Sequence, residues 1–243
     1  MNQPDYLTID VYEQPSLHAI RWKRAVRDAI SRGIDGLRSA TVNHANNGTR
    51  TLLPRVFPAG RALVAAWDSP EAAAAAWRGP LAVAVDGPGR FSLDGEIVRV
   101  RLATPGDHWH GWTPSDDGAV PLEKDEPMIA IVHGIVRKGQ LRTFVHHNVH
   151  AASRAAHHPG HRGSVDISSQ LPFEHTSISL WKTLRSAQDY AYAPGGHSFA
   201  MKHATQTGMH RVGCFLQVRP LASTGALGID SPPFPSLPPA VRG

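Results

Sequence analysis

The feature that most constrains this chain is internal: its two halves read as two copies of one unit. Ile9 and Val11 alternate with polar neighbours and predict a strand over Leu7–Glu13. Apolar residues spaced by three and four predict a helix over Leu17–Ser31, ended by Gly33. Strands follow at Gly36–His44 and Ala62–Trp67. A short helix, Ala72–Trp77, is entered through Ser69-Pro70-Glu71, and Ile97–Ala103 is the last strand. The second half repeats the order with strand Met128–Val136, helix Leu141–Ala156 and strands Ser164–Ser169 and Thr176–Trp181. Helices Thr183–Ala191 and His197–Ala204 and strand Val212–Val218 complete it. The best internal match sets Ala62–Trp67 and its helix against Ser177–Trp181 and its helix. Trp67 and Trp181 lie 114 positions apart and Gly36 and Gly163 lie 127 apart, which predicts a single 13-residue insertion in the Asn43–Gly60 loop.

The order βαββαβ is the ferredoxin-like unit, a sheet with helices on one face. Its bare face needs a cover, and a second such sheet supplies one. The expected fold class is therefore α+β, with duplicated ferredoxin-like repeats forming a dimeric α+β barrel-type fold within one chain. Residues 1–105 make the first repeat, 106–126 an inter-repeat loop and 127–219 the second repeat. Residues 220–243, with six prolines, read as a flexible or partner-clasping tail.

Composition narrows the function. With 41% apolar residues and six Trp in 243 residues, the chain can bury a sizeable core. No apolar run reaches the roughly 18–20 residues of a membrane span, and no secretory signal opens the chain. A lone Cys214, mid-strand among apolar residues, excludes an internal disulfide, reads as core rather than nucleophile, and fits a cytoplasmic location. The net charge is +5, but the arginines are scattered and no basic-aromatic groove pattern occurs, so nucleic acid is not an expected partner. Phosphate-binding loops, dinucleotide fingerprints and nucleophile elbows are absent. Histidine is over-supplied: eleven of fifteen lie between His133 and His210.

Three clusters of these histidines can carry chemistry. The first is Tyr192-Ala-Pro-Gly-Gly-His197-Ser-Phe199-Ala-Met201. A Pro-Gly-Gly break ahead of a helix-start His fixes an imidazole where backbone can approach a flat ligand. Trp181, Phe199 and Met201 would suit a macrocycle wall, and His197 its axial ligand; a surface His is the alternative. The second is His146, His147 and His150 on the helix, with His157, His158 and His161 at its end. His146 and His150 share a face and could take zinc, yet stabilisation of the helix C-terminus is sufficient reason for such a crowd. The third is His108-Trp-His-Gly-Trp112, a pocket lid or an anchor that buries the linker. On the strands, His133 and His175 alternate with apolar neighbours, as acid–base groups facing a cavity or as core histidines satisfied by hydrogen bonds.

Three stretches resemble the spheroidene monooxygenase family and, more distantly, heme proteins of the dimeric α+β barrel superfamily. They are Arg61-Ala-Leu-Val-Ala-Ala-Trp67-Asp, Val98-Arg-Val-Arg-Leu running on to His108–Trp112, and Thr176-Ser-Ile-Ser-Leu-Trp181 running on to Ala191–His197. The resemblance implies heme b, with His197 matching the His that follows the last strand–helix step. Aldoxime dehydratases are similar there, with a heme-ligating His at the start of the corresponding helix. Chlorite dismutases carry their axial His near the end of the preceding long helix, which makes His150, His157 and His158 the runners-up. Aldoxime dehydratases also use a distal His on the final strand, and Val212–Val218 has none.

The function these readings imply is a heme-dependent, monooxygenase-like oxidoreductase acting on a small or hydrophobic organic substrate, with His175 and His133 as distal acid–base groups. An electron donor or peroxide is its further partner, and a homo-oligomer is compatible with the fold. The alternatives are a cofactor-free monooxygenase of the antibiotic-biosynthesis type, a heme-dependent dehydratase or lyase, and a non-catalytic heme binder.

Overall fold

A computed structural model describes residues 4–12, 19–46, 60–84, 90–193, 204, 206–228, 231–240 and 242. Eight strands close into one antiparallel barrel in the order β1-β3-β2-β6-β7-β5-β8-β4. The first repeat supplies β1 (Tyr6–Tyr12), α1 (Ala19–Ser31), β2 (Leu37–Asn46), β3 (Gly60–Trp67), α2 (Pro70–Arg78) and β4 (Arg90–Leu102). The second supplies β5 (Met128–Val136), α3 (Leu141–Ala156), β6 (His161–Ser168), β7 (Glu174–Trp181), α4 (Leu184–Tyr192) and β8 (His210–Thr224). The repeats meet along two seams, β2 on β6 and β4 on β8. The bare face of each sheet thus becomes the inside of one barrel, and the helices lie outside it.

The duplication is visible bond by bond. Tyr6 pairs with Trp67 and Met128 with Trp181. The same register irregularity falls at Leu37/Ser39 and at His161/Gly163. Ser69 caps α2 and Thr183 caps α4, each two residues after its Trp. Asp68 N–H donates to Gly36 O and Lys182 N–H to Gly160 O, both at 2.8 Å. Gly160, rather than Gly163, is therefore the counterpart of Gly36. Two loops differ in length as a result. Besides the segment between β2 and β3, the stretch from Trp181 to Val218 is nine residues longer than that from Trp67 to Gly95. That extra length falls in the segment after α4, which carries His197.

Inside the barrel, Leu7, Ile9, Val11, Leu93, Ile129, Ile131, Ile178 and Leu216 form a dry core. Both ends are sealed by segments whose sequence predicts loop or tail. Trp109 and Trp112 of the linker are buried in that core and bond each other's backbone, so they anchor the linker. The Trp112 indole N–H and Ser115 N–H donate to buried Asp5. The tail is no free arm: Pro220–Thr224 is the end of β8, and Leu227 and Phe234 join the barrel core. Gly163, at φ 127°, lets Leu227 O approach to where a Cβ would stand only 2.0 Å away. Arg242 is buried, with Nε 2.8 Å from Asp10 and Nη2 2.6 Å from Asp94, over the ring of Trp77. No helix among the described residues is long and apolar enough to cross a membrane.

Candidate functional site

The two repeats differ most between sheet and helices. In the first, Tyr12, Trp22, Val26, Leu63, Trp67, Trp77 and Leu81 fill that layer, and α1 buries Trp22, Val26 and Ala29 in it. The register equates Tyr12 with Gly134, Leu63 with Ser177, Ala65 with Ser179 and Arg61 with His175. At Gly134 and Ser177 small side chains thus replace large ones, and α3, three residues longer than α1, buries only Ala155. What results is a cavity of about 310 Å³ between α3, α4 and the outer faces of β5–β8. Its mainly apolar lining suits an organic ligand.

The cavity has two unlike ends. Met128, Ala130, Val132 and Gly134 run along β5 beside Trp181, Ser179, Ser177 and His175 of β7, a span of about 20 Å at 3.3 Å per residue. At one end Trp181 stacks on Tyr190, with ring centres 5.0 Å apart. At the other, the edge of Phe144 meets His175 and His210 at 4.9 and 5.6 Å. Gly134 makes this possible, because a Cβ there would stand 2.6 Å from His210 Cδ2. Burial lowers the His210 pKa to about 4, helped by the neighbouring charge of His175, so this imidazole is neutral near pH 7. Arg99 and Arg101 of β4 stand exposed at the edge of the cavity.

The proposed residues fall in different places. His175 and Trp181 line the cavity. His133 does not: it pairs with Thr176, one residue from His175, and so faces the inside of the barrel. There its Nδ1 lies 2.9 Å from Thr176 Oγ1 and its ring stacks on Trp109, a core histidine satisfied by a neighbour. His150 and His157 are exposed on α3 and its end, turned away from the cavity, and His146 shares their solvent-facing side. His158 packs against Trp181 and Tyr190 behind the cavity wall, and its Nδ1 accepts from Gly160 N–H. The α3 histidine that does line the cavity is His147. His197, Phe199 and Met201 lie outside the described residues; Ala191, Tyr192 and Ala204 on either side line the cavity. Trp109 and Trp112 cap the barrel and do not reach the cavity. No three metal-ligating side chains converge among the described residues.

Residue-type reasoning missed Asp166, Asn148, His210 and the arginine pair. The alignment of Trp67 with Trp181 already sets Leu63 against Ser177, and that exchange of a large apolar side chain for a small one is the sequence signal of the cavity. His210 was missed because β8 begins there, two residues before the expected strand. The final strand therefore does carry a cavity-facing His.

The buried histidines also set a pH dependence. Burial pulls His133, His161 and His210 from the ordinary value near 6.5 to about 4. Below pH 6.5 the unfolded chain takes up protons that the folded chain refuses until pH 4. Stability therefore falls on acidification through this window, by up to about 1.4 kcal/mol per pH unit for each group. A drop in Tm on the order of 10 °C between pH 7 and pH 5 is expected in thermal unfolding. A flat profile would show these rings to be solvated.

No family model matches the chain, and neither does any curated protein. Solved structures do. An aldoxime dehydratase superposes with a TM-score of 0.57 at 10% identity, covering 90% of this chain and 82% of its own. Another, solved with butyraldoxime, gives 0.58 at 9% identity over 90% and 80%. The shared feature is the fold. Both matches span nearly the whole chain, so the fused barrel is common to them and to this protein.

Proposed function

We propose that the cavity holds heme b and that the protein is a heme-dependent oxidoreductase of the monooxygenase kind, related to the spheroidene monooxygenase type, acting on a small or hydrophobic organic substrate. The observation that carries this reading is the asymmetry of the repeats: the layer packed solid in the first is open in the second. The described residues fit such a group. Met128, Trp181, Leu184 and the alanines of α3 and α4 offer apolar walls, and Arg99 and Arg101 suit its carboxylates. His197, from the resemblance, is the residue proposed to hold the iron. When bound, heme would supply redox chemistry with O₂ or peroxide. The chain's own residues exclude water along the Trp181 end and present polar groups at the His175 end.

A second reading, dehydration on the same cofactor, is favoured by His210. Its place on the final strand is where the resemblance to aldoxime dehydratases puts a distal acid–base group.

The test is an absorption spectrum of protein expressed with heme precursor, with iron quantified on the same sample. The expected result is a strong Soret band near one heme per chain, much reduced or shifted in His197→Ala. Full heme content and an unchanged spectrum in that variant would remove His197 as ligand. A colourless protein that also refuses added hemin would favour the cofactor-free monooxygenase. A six-coordinate, low-spin spectrum would favour a carrier.

A further inference from the structure

We infer that Asp166 and His175 form the proton-handling end of the cavity. Asp166 is a positioning residue held by Asn148, and His175 exchanges a proton with a ligand bearing a hydroxyl or similar acidic group on an apolar body. The inference rests on the reading of this cavity as the active site, not on the identity of its cofactor.

The geometry begins with register. Asp166 of β6 pairs with Ser177 of β7, so Asp166 and His175 are diagonal neighbours on the outer, cavity-facing side of the sheet. The two carboxylate oxygens divide their partners. Oδ2 accepts from Asn148 Nδ2 of α3 at 3.2 Å, while Oδ1 lies 3.7 Å from His175 Nε2, an ion-pair distance. Asn148 thereby ties the carboxylate to the helix roof. Phe144 braces the imidazole from the same helix. With Nε2 turned to Asp166, Nδ1 is the nitrogen left for a ligand.

The charges around His175 separate it from its neighbour. Asp166 faces it from β6, His210 from β8 and His147 lines the same cavity from α3, while His133 acts through the sheet. His175 has a carboxylate beside it, whereas His210 packs over Gly134 and against Phe144. Two like groups with unlike surroundings are how one site divides acid from base. The step is simple in protons. The ligand hydroxyl gives its proton to His175 Nδ1, which leaves an oxyanion on the ligand and an imidazolium beside the Asp166 carboxylate; the reverse transfer restores the hydroxyl and the neutral ring. The ligand class follows from the His175 end of the slot: an ionisable group at the imidazole and an apolar body against Val132, Phe144 and Phe215 beside it.

The test is binding to heme-free protein, with an alkylphenol and its methyl ether as the probes. The alkylphenol should bind about tenfold more weakly to His175→Gln and to Asp166→Asn, Asp166→Glu should restore its binding, and the ether should be unaffected throughout. Phenol and ether binding alike in the parent and in His175→Gln, or phenol binding unmoved by Asp166→Asn, would overturn the proposal. Because no heme is present, a colourless protein that passes these measurements sinks the heme reading alone.

Discussion

Ser177→Leu is expected to close the cavity to its ligand while leaving the fold as stable or slightly more so. Position 177 is where the second repeat has a hydroxymethyl and the first has Leu63, which is fully buried in a packed layer. The substitution rebuilds the first repeat's packing in the second. Its backbone is ordinary strand, and the new side chain enters open space rather than a filled core. Filling a cavity contributes up to about 1 kcal/mol, so Tm should hold or rise. A ligand sharing that space meets overpacking of about 1–3 kcal/mol, which is a loss of roughly tenfold or more in affinity. Hemin titration followed by absorbance, beside thermal unfolding of the same sample, measures both. Unchanged hemin affinity in a stable variant would move the ligand out of this cavity.

The same pair of positions shows what the sequence discloses. Element order, both long helices of the repeats and the Trp-ended strands are legible, because periodicity and caps are local. Met128–Val136 and Leu141–Ala156 agree with the structure to the residue. The ends of β4 and β8 are not legible. Gly95 and Pro220 read as breakers, yet they pair with each other beside a register irregularity. Gly95 is there because Arg219 O would stand 2.9 Å from any Cβ. Which face a strand histidine takes is equally hidden. In a closed barrel with helices outside, both faces are covered, so alternation with apolar residues cannot distinguish inside from outside. His133 and His175 carry the same local pattern, and only the pairing of His133 with Thr176 sends them to opposite sides of one sheet. Asp166 is invisible for a related reason: its importance depends on a diagonal neighbour and a helix contact distant in sequence.

Glu174→Ala is expected to be among the most destabilising single changes, at about 3–5 kcal/mol, or a fall in Tm on the order of 10 °C. The Glu174 side chain is 1% exposed at the end of the barrel. Burial by itself would raise its pKa, but hydrogen bonds from His110 and Ser169 prevail and hold it at about 2. One oxygen lies 2.5 Å from His110 Nε2; the other accepts from Ser169 N–H, Ser169 Oγ and Gln170 N–H. Removing the carboxylate orphans these donors and frees His110, which the linker holds in the left-handed region at φ 51°. The carboxylate's contribution is complete above the ordinary carboxyl pKa and is lost as pH falls toward 2. The gap between Glu174→Ala and the parent should therefore narrow in acid. Urea unfolding at pH 7 and at pH 3 measures that change, and a gap constant with pH would mean that packing, not charge, is what the substitution removes. Glu174 faces the barrel interior and the ligand cavity lies on the opposite face of the same sheet. Glu174→Gln, which keeps the shape, should hence leave hemin affinity within about twofold even where it lowers Tm. Loss of hemin binding in a folded Glu174→Gln variant would mean that the sealed end of the barrel and the open layer outside it are coupled through β7.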